Sequence, residues 1–294
     1  MKFRLLGTGT SHGVPVIGCD CKVCKSTDKR DKRLRSSAYV TADDVKHILI
    51  DVGHEFRIQA LLNDIKKVDA VLLTHSHADH FHGIDDLRIF SCDMFRVPSG
   101  KSKKVLEQYN APPIPIYANQ TTVNDMHSRF SYIFHSVVEG GGHARLNPIV
   151  ATEQFKYGET TITPIPMLHG HLETTGWLLT ETKPDGEKKS IAYLTDCNYF
   201  SDESVELIHK NCGTLEHIVI DGLRIREHST HFSFLQALAT AEKIGAKHVW
   251  LTHINHESSH EEIIAYINEH IHEFPGLEQA ESVLPAYDQL ELES

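Results

Sequence analysis

The sequence predicts an α/β (α+β) chain in which two facing mixed sheets are flanked by helices, and three observations lead there. Short apolar runs that read as strands alternate with amphipathic stretches that read as helices through both halves of the 294 residues. Hairpin-like strand pairs occur in both halves, which argues against a doubly wound parallel sheet. Several strand-like runs also end on a histidine or an aspartate, so polar chemistry is gathered at strand ends.

Met1-Lys2-Phe3-Arg4-Leu5-Leu6-Gly7 reads as a first strand, its apolar part being too short for a signal peptide. Residues 38–41 and 47–51 form a hairpin around Ala42-Asp43-Asp44. Phe56, Ile58, Ala60, Leu61, Leu62 and Ile65 then mark one face of a helix, and the run 68–73 is a buried strand. Residues 84–90 read as a helix. A less regular region, about 91–148, holds Pro98, Pro112, Pro113 and Pro115, a strand at 114–117 and the Gly140-Gly141-Gly142 tip. An insertion or lid over the site is expected there. Beyond it, strands are expected at 160–165, 176–180, 190–195, 217–220 and 248–251, and helices at 204–209, 232–244 and 261–270.

Hydrophobic content of 40% and charged content of 23% are ordinary for a soluble globular protein. No apolar run approaches the ~20 residues of a membrane helix, and a cytoplasmic protein is expected. The formal net charge of −11 weighs against a broad nucleic-acid footprint. An anionic substrate stays open, because divalent ions would reverse the local field. The basic run Lys22, Lys25, Lys29, Arg30, Lys32, Arg33 and Arg35 reads as a solvated face, with a phosphate-facing patch as the alternative. Six cysteines in a chain this long do not make a secreted disulfide framework. Cys19, Cys21 and Cys24 are bunched, whereas Cys92, Cys197 and Cys212 read as ordinary thiols.

The most informative segment is Thr74-His75-Ser76-His77-Ala78-Asp79-His80, three imidazoles and a carboxylate straight after a buried strand. Such groups are ligands for zinc, manganese or iron. A two-metal site needs about seven ligands, and three more candidates end later strands: His169, Asp196 and His253.

In this order the residues resemble the metallo-β-lactamase-fold hydrolases, over nearly the whole chain from Leu5 to Ala286-Tyr287-Asp288-Gln289-Leu290-Glu291-Leu292. The resemblance implies an αββα sandwich, one domain over residues 1–294, with metals at one edge of the sheets. It implies one metal on His75, His77 and His169, a second on Asp79, His80 and His253, and Asp196 bridging them. Asp51 would lie behind, orienting ligands or water. Cys19, Cys21 and Cys24 supply three thiolates, and a tetrahedral zinc needs a fourth ligand. His256 follows His253 by three residues. Together with Gly7-Thr8-Gly9-Thr10, Gly13-Val14-Pro15 and Gly18-Cys19, this resembles the bacterial phosphoribosyl 1,2-cyclic phosphate phosphodiesterase branch, in which such a zinc is structural. The Gly7/Gly9 turn lacks the G-x-G-x-x-G spacing of a nucleotide loop.

The expected function is therefore a two-metal hydrolase, a phosphodiesterase for a small cyclic or ribose-linked phosphate, using water activated between two ions (zinc, manganese or iron). Asp79 would orient the nucleophile as well as ligate. His231 is the expected general acid with His228 close behind, unless both merely start a helix capped by Ser229 and Thr230. His171 and Arg224 are further candidates for substrate contact. One alternative is a transfer-RNA 3′-processing endonuclease, although Lys101, Lys103 and Lys104 make no long basic arm. A thioester or lactone hydrolase is another. A third is a non-catalytic protein like the accessory factor of pyrroloquinoline-quinone biosynthesis, whose metal motif is degenerate where all seven positions here are filled. The expected partner is a small phosphodiester, not nucleic acid or membrane. The substrate, the catalytic metal and the oligomeric state, a homodimer included, stay open.

Overall fold

The structure is a computed structural model and describes residues 1–91, 112–134 and 143–294. The strands are β1 (Lys2–Gly7), β2 (Ser37–Thr41), β3 (His47–Ile50), β4 (Ala70–Leu72), β5 (Ile114–Ala118), β6 (Leu146–Val150), β7 (Phe155–Tyr157), β8 (Thr160–His169), β9 (Leu172–Thr182), β10 (Lys188–Leu194), β11 (Thr214–Asp221), β12 (His248–Thr252), β13 (Ser282–Pro285) and β14 (Glu291–Glu293). The helices are α1 (Phe56–Leu62), α2 (Ala78–Phe81), α3 (Arg88–Ser91), α4 (Gln120–Arg129), α5 (Ser131–Phe134), α6 (Asp202–Cys212), α7 (Phe234–Ile244) and α8 (His260–His270).

The strands form two seven-stranded sheets, ordered β14-β1-β2-β3-β4-β5-β6 and β13-β12-β11-β10-β9-β8-β7. In the first, β14 to β3 pair antiparallel and β3 to β6 parallel. The second repeats the plan, antiparallel from β7 to β10 and parallel from β10 to β13.

Side-chain alternation decides what each sheet face meets. Phe3, Leu5, Ile48, Ile50 and Leu72 point inward against Ile162, Trp177, Leu179, Ile191 and Val219 of the other sheet. Leu6, Leu49 and Val71 point outward onto Phe56, Phe81, Val123 and Met126 of α1, α2 and α4. On the far side, Leu178, Ala192, Ile218 and Ile220 meet Ile208, Phe234, Leu238 and Ile263 of α6, α7 and α8. The order is helix, sheet, sheet, helix, as the sequence predicts.

The differences have local causes. β8 runs on to His169 through Pro164 and Pro166, past the expected end at 165. Ser204 donates to the Pro166 carbonyl at 2.7 Å, and the Leu168 N–H bonds Tyr199 on that same side. The prolines thus face a side with no neighbouring strand, because β7 pairs only with residues 160–162. The helix expected at 84–90 is a 3₁₀ turn (Ile84–Leu87) followed by α3. Helix α7 starts at Phe234, two residues late, under a capping box of Ser233 and Gln236. Of the region 91–148, β5 is a strand inside the first sheet between β4 and β6. Cys92, Pro98, Lys101, Lys103, Lys104 and the Gly140-Gly141-Gly142 tip lie outside the described residues.

Candidate metal centre

Parallel neighbours end on the same side, so the C-terminal ends of β3 and β4, and of β10, β11 and β12, gather polar residues along one edge of each sheet. Asp51 follows β3, His75 follows β4, Asp196 follows β10, Asp221 closes β11 and His253 follows β12. Three of these turn sharply out of their strands with left-handed φ: Asp51 at 58°, Asp196 at 58° and His253 at 59°. For residues with a Cβ this backbone is strained by about 1 kcal/mol or more each. Two glycines let the His-rich loop close in. A methyl group built on Gly53 would collide with the Asp79 carbonyl, and one on Gly83 with the Gly53 carbonyl.

The side chains converge around Asp196. His80 Nε2 lies 3.0 Å from Asp196 Oδ2 and 3.2 Å from Asp79 Oδ2. His253 Nε2 lies 3.3 Å from Asp196 Oδ1 and 3.8 Å from Asp79. On the other side, His75 Nε2 is 3.9 Å from Asp196 Oδ1. The His77 ring lies 4.6 Å from that of His75 and 5.2 Å from that of His169, centroid to centroid.

A layer behind these groups sets their tautomers. His80 Nδ1 bonds Asp51 at 2.7 Å, and Asp51 also accepts from the Thr74 amide at 2.8 Å. His169 Nδ1 donates to the Thr230 carbonyl at 2.7 Å, which leaves its Nε2 lone pair free to ligate.

The residues fit a cation. His75 Nε2, His80 Nε2 and His253 Nε2 are buried with no hydrogen-bond partner, against a background in which buried polar atoms are nearly always paired. Asp51, Asp79, Asp196 and Asp221 bury four carboxylates beside them. Burial and neighbouring His80 push His75 well down, so its imidazole is neutral and ready to ligate. Burial alone would lower His80, but Asp196, Asp79 and Asp51 hold it well above its ordinary value. That anionic field suits metal ions.

His231 belongs to the same cluster. Its ring lies 4.4 Å from that of His169 and 4.5 Å from that of His253, and its Nδ1 bonds Asp221 at 2.8 Å. His228 stands 5.3 Å from His231, ring to ring, and its Nδ1 faces the Thr230 hydroxyl at 3.2 Å. The helix cap is Ser233, so Ser229 and Thr230 do not cap α7. His171 is exposed at the β8–β9 turn. Arg224 is engaged by Glu257 at 3.1 Å and by the Arg226 and Glu227 carbonyls. Asp221 escaped the sequence reading, yet it also supports the Asp196 amide at 2.9 Å. Its signal was present: Ile218-Val219-Ile220-Asp221 repeats the apolar-run-then-aspartate pattern of Leu49-Ile50-Asp51.

A second group of candidate ligands lies apart. The sulfurs of Cys19, Cys21 and Cys24 stand 3.3, 3.5 and 3.5 Å from His256 Nδ1. Tetrahedral zinc would set that separation at roughly 3.6 Å, so the four residues fit. The Cys24 amide pulls Cys21 down to about 6, while burial pushes Cys24 up to about 11. Neighbouring acids neutralise much of the basic run: Lys22 pairs with Glu262, Lys25 with Asp20, and Arg30 with Asp28 and Glu261. This favours the solvated face over a phosphate-facing patch, except at Arg33, which is buried and donates to the Thr8 hydroxyl and the Ala286 carbonyl.

A four-layer sandwich with a buried His/Asp cluster at the strand ends defines the metallo-β-lactamase fold, and the fold implies divalent metal. The chain belongs to the beta-lactamase superfamily: the Beta-lactamase superfamily domain matches residues 46–254. Among solved structures it is similar to a diphosphatase from the PhnP family, 34% identical with a TM-score of 0.78, covering 100% of this chain and 97% of that one. The fold is shared with Zn(2+)-bound PqqB from Methylobacterium extorquens (17% identity, TM-score 0.72, all of both chains). It is shared too with the short form of human tRNase Z (18% identity, TM-score 0.62, 100% and 99% of the two chains). A curated relative, the octanoyltransferase of Porphyromonas gingivalis, is 35% identical over 282 residues, 95% of this chain and 51% of that protein. The chain thus spans about half the length of that relative. No helix among the described residues is long and apolar enough to cross a membrane.

Proposed function

We propose that this superfamily hydrolase uses two metals to cleave a phosphodiester or diphosphate bond in a small cyclic or ribose-linked phosphate. One observation carries the reading: Asp196 lies between two sets of imidazoles. His75, His77 and His169 would hold one ion, Asp79, His80 and His253 the other, and Asp196 would be shared. Bound ions would supply positive charge to the phosphoryl oxygens and lower the pKa of water. Asp51 and the Thr230 carbonyl hold His80 and His169 in ligating orientation. Asp79 would orient the nucleophile. His231 is anchored through Nδ1 on Asp221, and although burial lowers it, Asp221 holds it above its ordinary value. It can therefore hold a proton on Nε2 for the leaving oxygen. His228, 5.3 Å from it ring to ring, is the alternative proton donor. The Cys19, Cys21, Cys24 and His256 set would hold a structural zinc. The phosphoryl preference is supported by the similarity to the PhnP-family diphosphatase.

The test is a screen of an aryl phosphodiester, ribose 1,2-cyclic phosphate, a nucleoside diphosphate and precursor transfer RNA, with zinc and with manganese. His77→Ala and Asp196→Ala should each abolish turnover. Fewer than two ions per chain beyond the cysteine-held zinc, measured by mass spectrometry, would sink the two-metal scheme. Cleavage of the transfer RNA alone would favour the endonuclease reading, which the net charge of −11 opposes. A second reading, acyl thioester hydrolysis by the same residues, is favoured by the octanoyltransferase relative. An octanoyl thioester in the same screen separates the two. Absence of any turnover by the fully metallated protein would revive the non-catalytic role.

A further inference from the structure

We propose that Asp125 and Arg129 of α4 are positioning residues that hold His75-Ser76-His77 in metal-binding geometry from outside the site. The proposal rests on the metal reading of that segment and not on the substrate. Arg129 Nη1 donates to the Ser76 carbonyl at 2.5 Å, and Arg129 Nη2 donates to Asp125 Oδ2 at 3.0 Å. The Ser76 hydroxyl donates to the same Asp125 oxygen. Three residues close a ring that grips both the backbone and the side chain of the residue between two candidate ligands. The Arg129 guanidinium also lies 5.8 Å from the Phe81 ring centroid. Since Phe81 directly follows His80, one arginine touches both ends of the ligand loop.

The loop needs an outer support at this point. His75 has the Thr74 hydroxyl at 3.0 Å, and His80 has Asp51. For His77, by contrast, the structure shows ring contacts to His75 and His169 but no side-chain hydrogen bond among the described residues. Its placement depends on its backbone, and the neighbouring residue of that backbone is the one gripped. The helix that does the gripping is itself fixed. Its N-cap Asn119 accepts from the Thr122 amide at 2.8 Å and donates to the Glu173 carbonyl of β9 at 3.1 Å. Val123 and Met126 anchor its buried face.

Energetics separates positioning from general stabilisation. The Asp125 and Arg129 side chains are 34% and 41% exposed, and an ion pair so placed adds little to stability. Groups that orient ligands, in contrast, change metal affinity by ~10–100-fold when removed.

The experiment titrates zinc into the metal-free full chain against a competing chelator and follows the ions bound beyond the cysteine-held one. Arg129→Ala and Asp125→Ala should bind those ions at least ~10-fold more weakly, with part of the loss recovered in Arg129→Lys. Asn124→Ala, exposed on the same helix, should bind like the parent. Metal-free unfolding midpoints should stay within about 2 °C of the parent. If the alanine variants do not fold, Arg129→Lys and Asp125→Asn carry the same comparison. Variants as tight as a zinc-binding parent would overturn the proposal alone. So would a loss matched by Asn124→Ala or by an equal fall in the metal-free midpoint. A parent that takes up no ion beyond the cysteine-held one would overturn the metal reading itself.

Discussion

Asp221 accepts from His231, from the Asp196 amide and from the Phe232 amide at once, so one carboxylate aligns a candidate proton donor with a candidate ligand. Asp221→Asn keeps the size and loses the charge. At saturating metal it should lower kcat by about 10²-fold and move the alkaline limb of the pH–rate profile to lower pH, because His231 loses the charge that raises it; unchanged kcat would remove His231 from the proton path. Asp288 makes a different kind of test, away from the metals. Burial pushes its carboxyl up to about 7, although it accepts from Thr8 and Leu34. Unfolded, it would titrate near ~3.9. Between these values the folded chain holds a proton that the unfolded chain has released, so stability falls as pH rises through that window and levels off above it. Denaturant midpoints from pH 5 to 8 should show this decline in the parent, and Asp288→Asn should lack that component. The candidate ligands were legible because HxHxDH is dense and each partner ends an apolar run. The clasp on Ser76 was not: Asp125 and Arg129 lie some fifty residues away, in a stretch with no strong periodicity.

Among elements, the connection from β3 into α1 is pressed against α2, and Gly53 is what permits it. Gly53→Ala places a methyl group against the Asp79 carbonyl. The expected result is a loss of about 3 kcal/mol in stability, and with it a marked fall in metal content, read by denaturation and by mass spectrometry. Equal metal uptake would show that the ligand loop can retreat without harm. Strand prediction was accurate where both faces are buried, as in β3, β4 and β11. It missed β6 and β7, whose residues are mostly half-exposed or exposed; the alternation of Phe155-Lys156-Tyr157 spans only three residues, too few to read. It carried β8 through Pro164 but stopped short of Pro166, and only the sheet order reveals that both prolines face an unpaired edge.

For the whole molecule, the two sheets contribute different candidate ligands to one cluster, the His75–His80 loop backed by Asp51 from the first and His169, Asp196 and His253 backed by Asp221 from the second. Metal bound there would tie the sheets together. Removing it with a chelator leaves buried carboxylates without a counter-ion, and the thermal midpoint should fall by ~5 °C or more, recovering on metal return. In Cys24→Ser, with the candidate zinc ligand set broken, the metal-replete midpoint should already lie below that of the parent; an identical midpoint would deny the cysteine cluster a structural role. Fold class was legible at this scale because the mixture of hairpins and helix-linked strands admits few layered solutions. The sheet order, with β14 returning beside β1, needs contacts between residues at opposite ends of the chain and was not.

The left-handed backbone at Asp51, Asp196 and His253 sets stability against function at single Cα atoms. Glycine there would relieve the backbone and forfeit the carboxylate or imidazole on which the centre depends. Selection for robustness alone would therefore erode these three positions first. A thermostabilised descendant of this chain that carried glycine at any of them would be expected to keep the sandwich and lose the metal.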